Sequence, residues 1–199
     1  MIASNGIIDM SRKRHSKSEG LSWKALKAEW QTWYAGKRDI LWFGLKFGAL
    51  VAAFYALLLV PGCERVLYIY LEGFAWLAHA VLNGLGQGSQ LSDVTITSPH
   101  FSMAIRRGCD AVEPTWLFCA AVLSYPGPIR LKAIGILIGI VLLQALNLVR
   151  ILSLFFIGAY LPSFFNTAHL EIWPSVFILV AIVLMMGWIE WTRRHDLAR

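Results

Sequence analysis

Apolar residues fall into long runs separated by short polar breaks, and four runs are candidates to cross a membrane: residues 40–60, 111–125, 133–161 and 172–191. A helix rising about 1.5 Å per residue needs roughly 20 residues to traverse a hydrocarbon core of about 30 Å. Lys46 stands near the start of the first run, where a long side chain reaches back to the headgroups. The second run is short and attains the minimum length only with Cys109 and Asp110 included. "YPGPIRLK" (125–132) reads as a tight polar turn. The third run is apolar apart from Gln144, Asn147, Arg150 and Ser153, and its pattern leaves open whether it is one helix or is broken after Arg150. The fourth closes with "TRRH".

The remaining segments carry other periodicities. Residues 1–20 are polar and basic without a repeat, which predicts a disordered tail. In residues 21–38, Trp23, Leu26, Trp30 and Trp33 recur every three or four positions, predicting an amphipathic helix in the headgroup region. Residues 66–86 have the length to span or to lie flat on the surface. Charge placement favours the flat arrangement. It puts 14 of the 18 lysines and arginines on one side, and positive residues mark the cytoplasmic face. Glu72 and His79, seven apart, then share the water-facing side of that helix. Between residues 91 and 107, Val94 and Ile96, then Phe101, Met103 and Ile105, alternate with polar or small residues around Pro99. This predicts a two-stranded hairpin.

The expected fold is therefore an all-α integral membrane protein. It has four transmembrane helices, an amphipathic N-terminal helix, an extracytoplasmic interfacial helix and a short β-hairpin. Residues 39–192 form the membrane-embedded domain and 193–199 a cytoplasmic tail. Composition agrees, with 57% hydrophobic residues, 15% charged residues and a mean hydropathy of +0.58, values foreign to an ordinary soluble domain. The net charge of +6 lies beside apolar runs, which argues for membrane lipid as the partner and against nucleic acid. Three cysteines, Cys63, Cys109 and Cys119, have neither metal-ligand spacing nor the density of a disulfide framework. The first 20 residues lack the apolar core of a cleavable leader, so the first span is expected to serve as its own targeting signal.

Polar residues in such a chain concentrate the interest, because ionisable groups near a bilayer core are costly. In "RRGCDAVEPTWLF" (106–118), Gly108 permits a sharp turn and Cys109 stands at the expected mouth of a helix that Pro114 limits to a start near Asp110. A thiol at a helix N-terminus is expected to have a lowered pKa, and the free N–H groups there suit an oxyanion. The plainer alternative is a small buried hydrophobe. Asp110 and Glu113 suit capping of the same helix. Arg150 lies 18 residues beyond Lys132, about 27 Å along a helix, which brings it to the depth of Cys109, with Asn147 on the same face. It is either paired with Asp110 or Glu113, or free to clamp an anion. His169 precedes the last run at the same expected depth, as a general base or as a solvated interface residue.

A cysteine after a strand segment, an Asn-x-x-Arg in a later span ("NLVR") and a histidine opening the last span resemble the exosortase/archaeosortase family of membrane processing enzymes. "GCDAVEPTWLF" and "ALNLVRILSLFFIGAYLPSFFNTAHLEIW" look most like the exosortase H subgroup, and the similarity covers roughly residues 40–192. Cys109-Asp110-Ala111 departs from the Cys-Ser-Gly of many members. The resemblance implies a cysteine-type peptidase or transpeptidase of the bacterial inner membrane with both termini cytoplasmic and the site outside. Its substrates would be membrane-anchored proteins with a C-terminal sorting signal. It implies Cys109 as nucleophile, His169 as proton relay, Arg150 as oxyanion or substrate clamp, and Asn147, Glu113 and Asp110 as support. No metal or redox cofactor is required. Two other readings stay open from the residues alone: a non-catalytic export scaffold, and a lipid-directed acyltransferase using the same thiol.

Overall fold

The structure, a computed structural model, describes residues 23–197; the predicted tail 1–20 lies outside the described residues. The chain divides into two compact units, residues 1–42 and 43–199. In the first, helix α1 begins at Trp23, whose indole is exposed, and Arg38 pairs with Asp39. The side chains of Leu26, Trp30 and Trp33, which carry the predicted amphipathic stripe, are outside the described set. Helix α1 is unbroken from Trp23 to Leu58, so the predicted boundary near residue 38 is not a break in the helix.

The second unit is organised along one long helix. Helix α2 (Cys63–Gly84) is followed by a small sheet and a short helix α3 (Val112–Ser124). Helix α4 (Ile129–Tyr160) comes next, then a helical turn region (162–172) and helix α5 (Trp173–Leu197). Helix α4 is continuous through Arg150, which answers the question the sequence left open. Its buried positions Gly135, Gly139, Leu143 and Asn147 repeat every fourth residue, then continue through Arg150, Ile151, Leu154, Phe155 and Gly158. Such spacing keeps one stripe facing the interior.

Two hydrophobic clusters divide that stripe. Towards its start, Leu143 packs with Phe118 and Val122 of α3 and Phe177 and Trp188 of α5. Gly139 lets the Phe118 ring lie against the α4 backbone, and Gly135 does the same for Trp188, whose Nε1–H donates to the Leu131 carbonyl at 3.0 Å. A side chain at either glycine would occupy the ring's space. Towards its end, Ile151 and Phe155 pack with Leu71, Ala75, Ala78 and Leu82 of α2 and with Ile96 and Ile105 of the sheet region. Those α2 residues recur at four, three and four, a single buried face. Asn147 and Arg150 sit where the two clusters meet.

Among the described residues, four helical segments are long and apolar enough to cross a membrane: Lys37–Leu58, Cys63–Gly84, Ile129–Tyr160 and Pro162–His195. The number agrees with expectation, but the membership differs: Cys63–Gly84, which charge placement laid flat on the surface, is by length and composition a candidate span, and the second expected span is not. Val112–Ser124 is shorter than a span, because Cys109 to Ala111 form a turn and do not extend the helix. Exposed Leu137, Val141, Ile178, Leu179, Ile182 and Met186 make the exterior of α4 and α5 apolar.

The predicted two-stranded hairpin is a three-stranded antiparallel sheet: β1 (Gln90–Ser92), β2 (Thr95–Thr97) and β3 (Ser102–Ala104), in that order. Strands β2 and β3 are the predicted pair, with Ile96 opposite Met103. Strand β1 adds Leu91 opposite Ile96 through a turn in which Asp93 has φ +53°. With one apolar residue in three, β1 has no alternation to reveal it. The fully buried Ile96 keys the sheet onto α2 and α4.

Candidate active site

The segment carrying Cys109 is a loop with two left-handed residues, Gly108 at φ +92° and Ala111 at φ +52°. The Cys109 N–H donates to the Arg106 carbonyl at 2.9 Å, closing a turn. Asp110 Oδ1 accepts the Val112 N–H at 3.2 Å, a local side-chain turn just ahead of α3. Helix α3 begins at Val112, with Pro114 in its first turn, where a missing N–H is harmless.

This start corrects the expectation for the thiol. Cys109 lies three residues before the first helical residue, and a helix dipole acts over the terminal turn itself. Burial pushes the Cys109 thiol up from its ordinary value; the Arg150 charge pulls against burial, and Asp110 adds to the rise. At neutral pH the resting group is therefore a thiol, not the lowered-pKa thiolate that the sequence suggested.

His169 comes from the region between α4 and α5. The chain makes a 3-10 turn at Pro162–Phe164 and a short α turn. It then widens into a π turn over Ala168–Ile172 before α5. A π turn shifts side chains out of α register, and such insertions are frequent at functional sites. The His169 ring stacks on Phe165, one turn earlier, at 5.8 Å with planes 17° apart. Cys109 Sγ lies 3.8 Å from His169 Nδ1 and 4.0 Å from Nε2. Both nitrogens are within hydrogen-bond reach of sulfur, and distance favours neither strongly.

Arg150 is 5% exposed, with Nη1 donating to the Gly108 carbonyl at 3.0 Å and its guanidinium over the Phe177 ring at 5.7 Å. Its charge acts on both Cys109 and His169. Among the described residues it makes no ion pair, so the expected alternative of a bridge to Asp110 or Glu113 is not what holds it. Its Nε has no partner among the described residues, nor do Oδ1 and Nδ2 of Asn147, which is fully buried one turn away.

Cys109, Asp110, Arg150 and His169 thus come together, with Asn147 beside Arg150. Glu113 is exposed and lines a cavity of about 530 Å³ that flanks the same loop, with Phe54, Leu58, Leu67, Arg107 and Asp110 among its walls. Sequence reasoning missed three residues. The Tyr70 hydroxyl donates to the Asp110 carbonyl, at 2.8 Å, or to Gln144 Oε1. Gln144 Nε2 donates to Thr115 Oγ1 at 3.0 Å, and that hydroxyl donates to the Ala111 carbonyl at 2.7 Å. Gln144 was visible as a polar interruption, but nothing in a linear pattern ties it to a tyrosine 74 residues earlier. Among the described residues, no group of three or more His, Cys, Asp or Glu side chains could hold a metal ion. No known family model matches the chain, and comparison with curated proteins and with solved structures gives no significant match.

Proposed function

We propose that the chain is a membrane-embedded cysteine peptidase or transpeptidase that removes the C-terminal sorting signal of exported proteins. One observation carries the reading. A thiol and an imidazole 60 residues apart are brought within 3.8 Å beside a buried arginine that forms no salt bridge among the described residues. An unpaired guanidinium in an apolar bundle is expensive, and binding a developing anion is a reason for it to stay.

In this mechanism the Cys109 sulfur attacks the scissile carbonyl while its proton passes to His169. Burial of the thiol makes that transfer part of the attack rather than a resting ion pair. Arg150, with one Nη1–H committed to Gly108, offers its other donors to the oxyanion or to a substrate carboxylate. Collapse of the tetrahedral intermediate breaks the peptide C–N bond, and His169 returns the proton to the leaving amine. The thioester then passes to an amine acceptor or to water. Asp110 shapes the loop, Asn147 supports the arginine, and Glu113 faces incoming groups from the flanking cavity.

The same reading puts the chain in a bacterial inner membrane, with apolar α4 and α5 surfaces against lipid and both basic ends in the cytoplasm. For the site to face outward with both ends inside, α2 must rest with the sheet on the extracytoplasmic side, on the end of α4 beyond Arg150, and α3 with its flanking turns must carry the chain back through the membrane.

Co-expression with a tailed, membrane-anchored substrate tests the proposal. Wild type shortens the substrate, whereas Cys109→Ala, Arg150→Ala and His169→Ala leave it full length. Normal shortening by all three variants rejects the enzyme reading in favour of a scaffold. Labelling of cysteines introduced near positions 72 and 98 with an impermeant reagent tests sidedness separately.

A further inference from the structure

The backbone around the thiol is held at both flanking carbonyls. The carbonyl before Cys109, on Gly108, accepts from Arg150 of α4, and the carbonyl after it, on Asp110, accepts from the Tyr70 hydroxyl of α2. A third pin, Thr115 to the Ala111 carbonyl, comes from α3 itself. The loop needs such restraint, since Gly108 and Ala111 both sit in the left-handed region, which for alanine is an uphill conformation.

The geometry points to Tyr70 as the positioning residue of the nucleophile: its hydroxyl, anchored on the Asp110 carbonyl, holds the Cys109 thiol against His169. This inference rests on the nucleophile reading of Cys109. The hydroxyl is not needed to dock α2, because Leu71, Ala75, Ala78 and Leu82 already bury that helix face against α4 and the sheet. Its ring is kept by Phe74, at a centroid distance of 5.0 Å. What the oxygen adds is a tie, across 40 residues, to the amino acid bonded to Cys109. A tyrosine hydroxyl has one proton, so Gln144 competes with Asp110 for it. Arg150 fixes the upstream carbonyl, and the Thr115 and Asp110 side-chain bonds fix only the start of α3; without Tyr70 the residues between them can rotate and swing the sulfur away from the imidazole.

The test is a cycle on thiol reactivity, which requires no knowledge of the substrate. With Cys63→Ser and Cys119→Ala in place, Cys109 is the sole thiol of the chain. Iodoacetamide then reports on it: the S–C bond forms, the C–I bond breaks with loss of iodide, and the thiol proton goes to the imidazole or to water. His169→Ala slows alkylation at neutral pH about tenfold when Tyr70 is present, and less than about twofold in Tyr70→Phe. Gln144→Met, which leaves the Asp110 bond intact, retains the full His169 dependence. Tyr70→Phe removes a single oxygen and leaves the packing of α2 unchanged, so the protein stays folded in detergent. An equal His169→Ala effect with and without the Tyr70 hydroxyl overturns the positioning role alone. So does loss of the dependence in Gln144→Met to the same degree as in Tyr70→Phe, because the effect then runs through the α2–α4 contact. If His169→Ala changes nothing even with Tyr70 in place, there is no working thiol–imidazole pair, and the peptidase reading falls together with this one.

Discussion

Replacing Asn147 by leucine should make the protein more stable and less active. The side chain is fully buried at the junction of the two hydrophobic clusters, and neither its Oδ1 nor its Nδ2 has a partner among the described residues. A buried polar group left without a hydrogen bond costs about 1–3 kcal/mol. Leucine has the same branched arrangement of side-chain heavy atoms but bulkier methyl ends, so the substitution opens no cavity and overpacking costs about 1–3 kcal/mol. Two orphaned groups removed, less some strain from the altered shape, leave a gain of about 2 kcal/mol. For a chain of this size that is an increase in melting temperature of about 5 °C. Thermal unfolding of the purified protein in detergent measures it, with Asn147→Ala as the comparison, where a new cavity offsets part of the gain. Cleavage of a tailed substrate, followed in parallel, should fall at least about tenfold if the amide supports Arg150 in catalysis. A drop of several degrees in Asn147→Leu would refute the reasoning, since it would mean that the amide is bonded within the folded protein and contributes to its stability.

Four further outcomes follow from the same geometry. Because burial raises the Cys109 thiol, its alkylation rate should keep climbing with pH beyond the range where an ordinary thiol levels off. Arg150→Met, which removes the charge that opposes burial, should lower the rate at any fixed pH below that plateau; a stopped-flow pH series checks both. Gly139→Leu should cost about 1–3 kcal/mol or more by forcing Phe118 from its seat on α4, and Phe118→Leu in the same chain should recover part of the loss, read as non-additive melting shifts. Gly108→Ala puts a side chain at φ +92°, so it should slow Cys109 alkylation and lower the melting temperature by the few degrees that about 1–2 kcal/mol of backbone strain costs.

Much of the fold is legible in hydrophobic spacing because burial of an apolar stripe is a local, repeating property. The pattern in residues 133–161 and 172–191 announces α4 and α5, and alternation around Pro99 announces β2 and β3. Depth along a helix is also local arithmetic, and this is how Arg150 could be set level with Cys109 before any contact was known. A short strand such as β1, with Leu91 as its only apolar residue, leaves no such trace, and its existence depends on the partner strand.

What the sequence determined alone was the apolar scaffold and the candidate polar groups, since run length and side-chain chemistry are carried by residues one at a time. Tertiary structure decided how those groups behave. The start of α3 at Val112 takes Cys109 out of the helix dipole, and burial then governs its thiol. The π turn carries His169 to the sulfur, and α2 brings Tyr70 to the loop from 40 residues away. Hydrogen bonds and desolvation depend on which surfaces meet, and that is settled only when the two halves of α4 are covered by different neighbours.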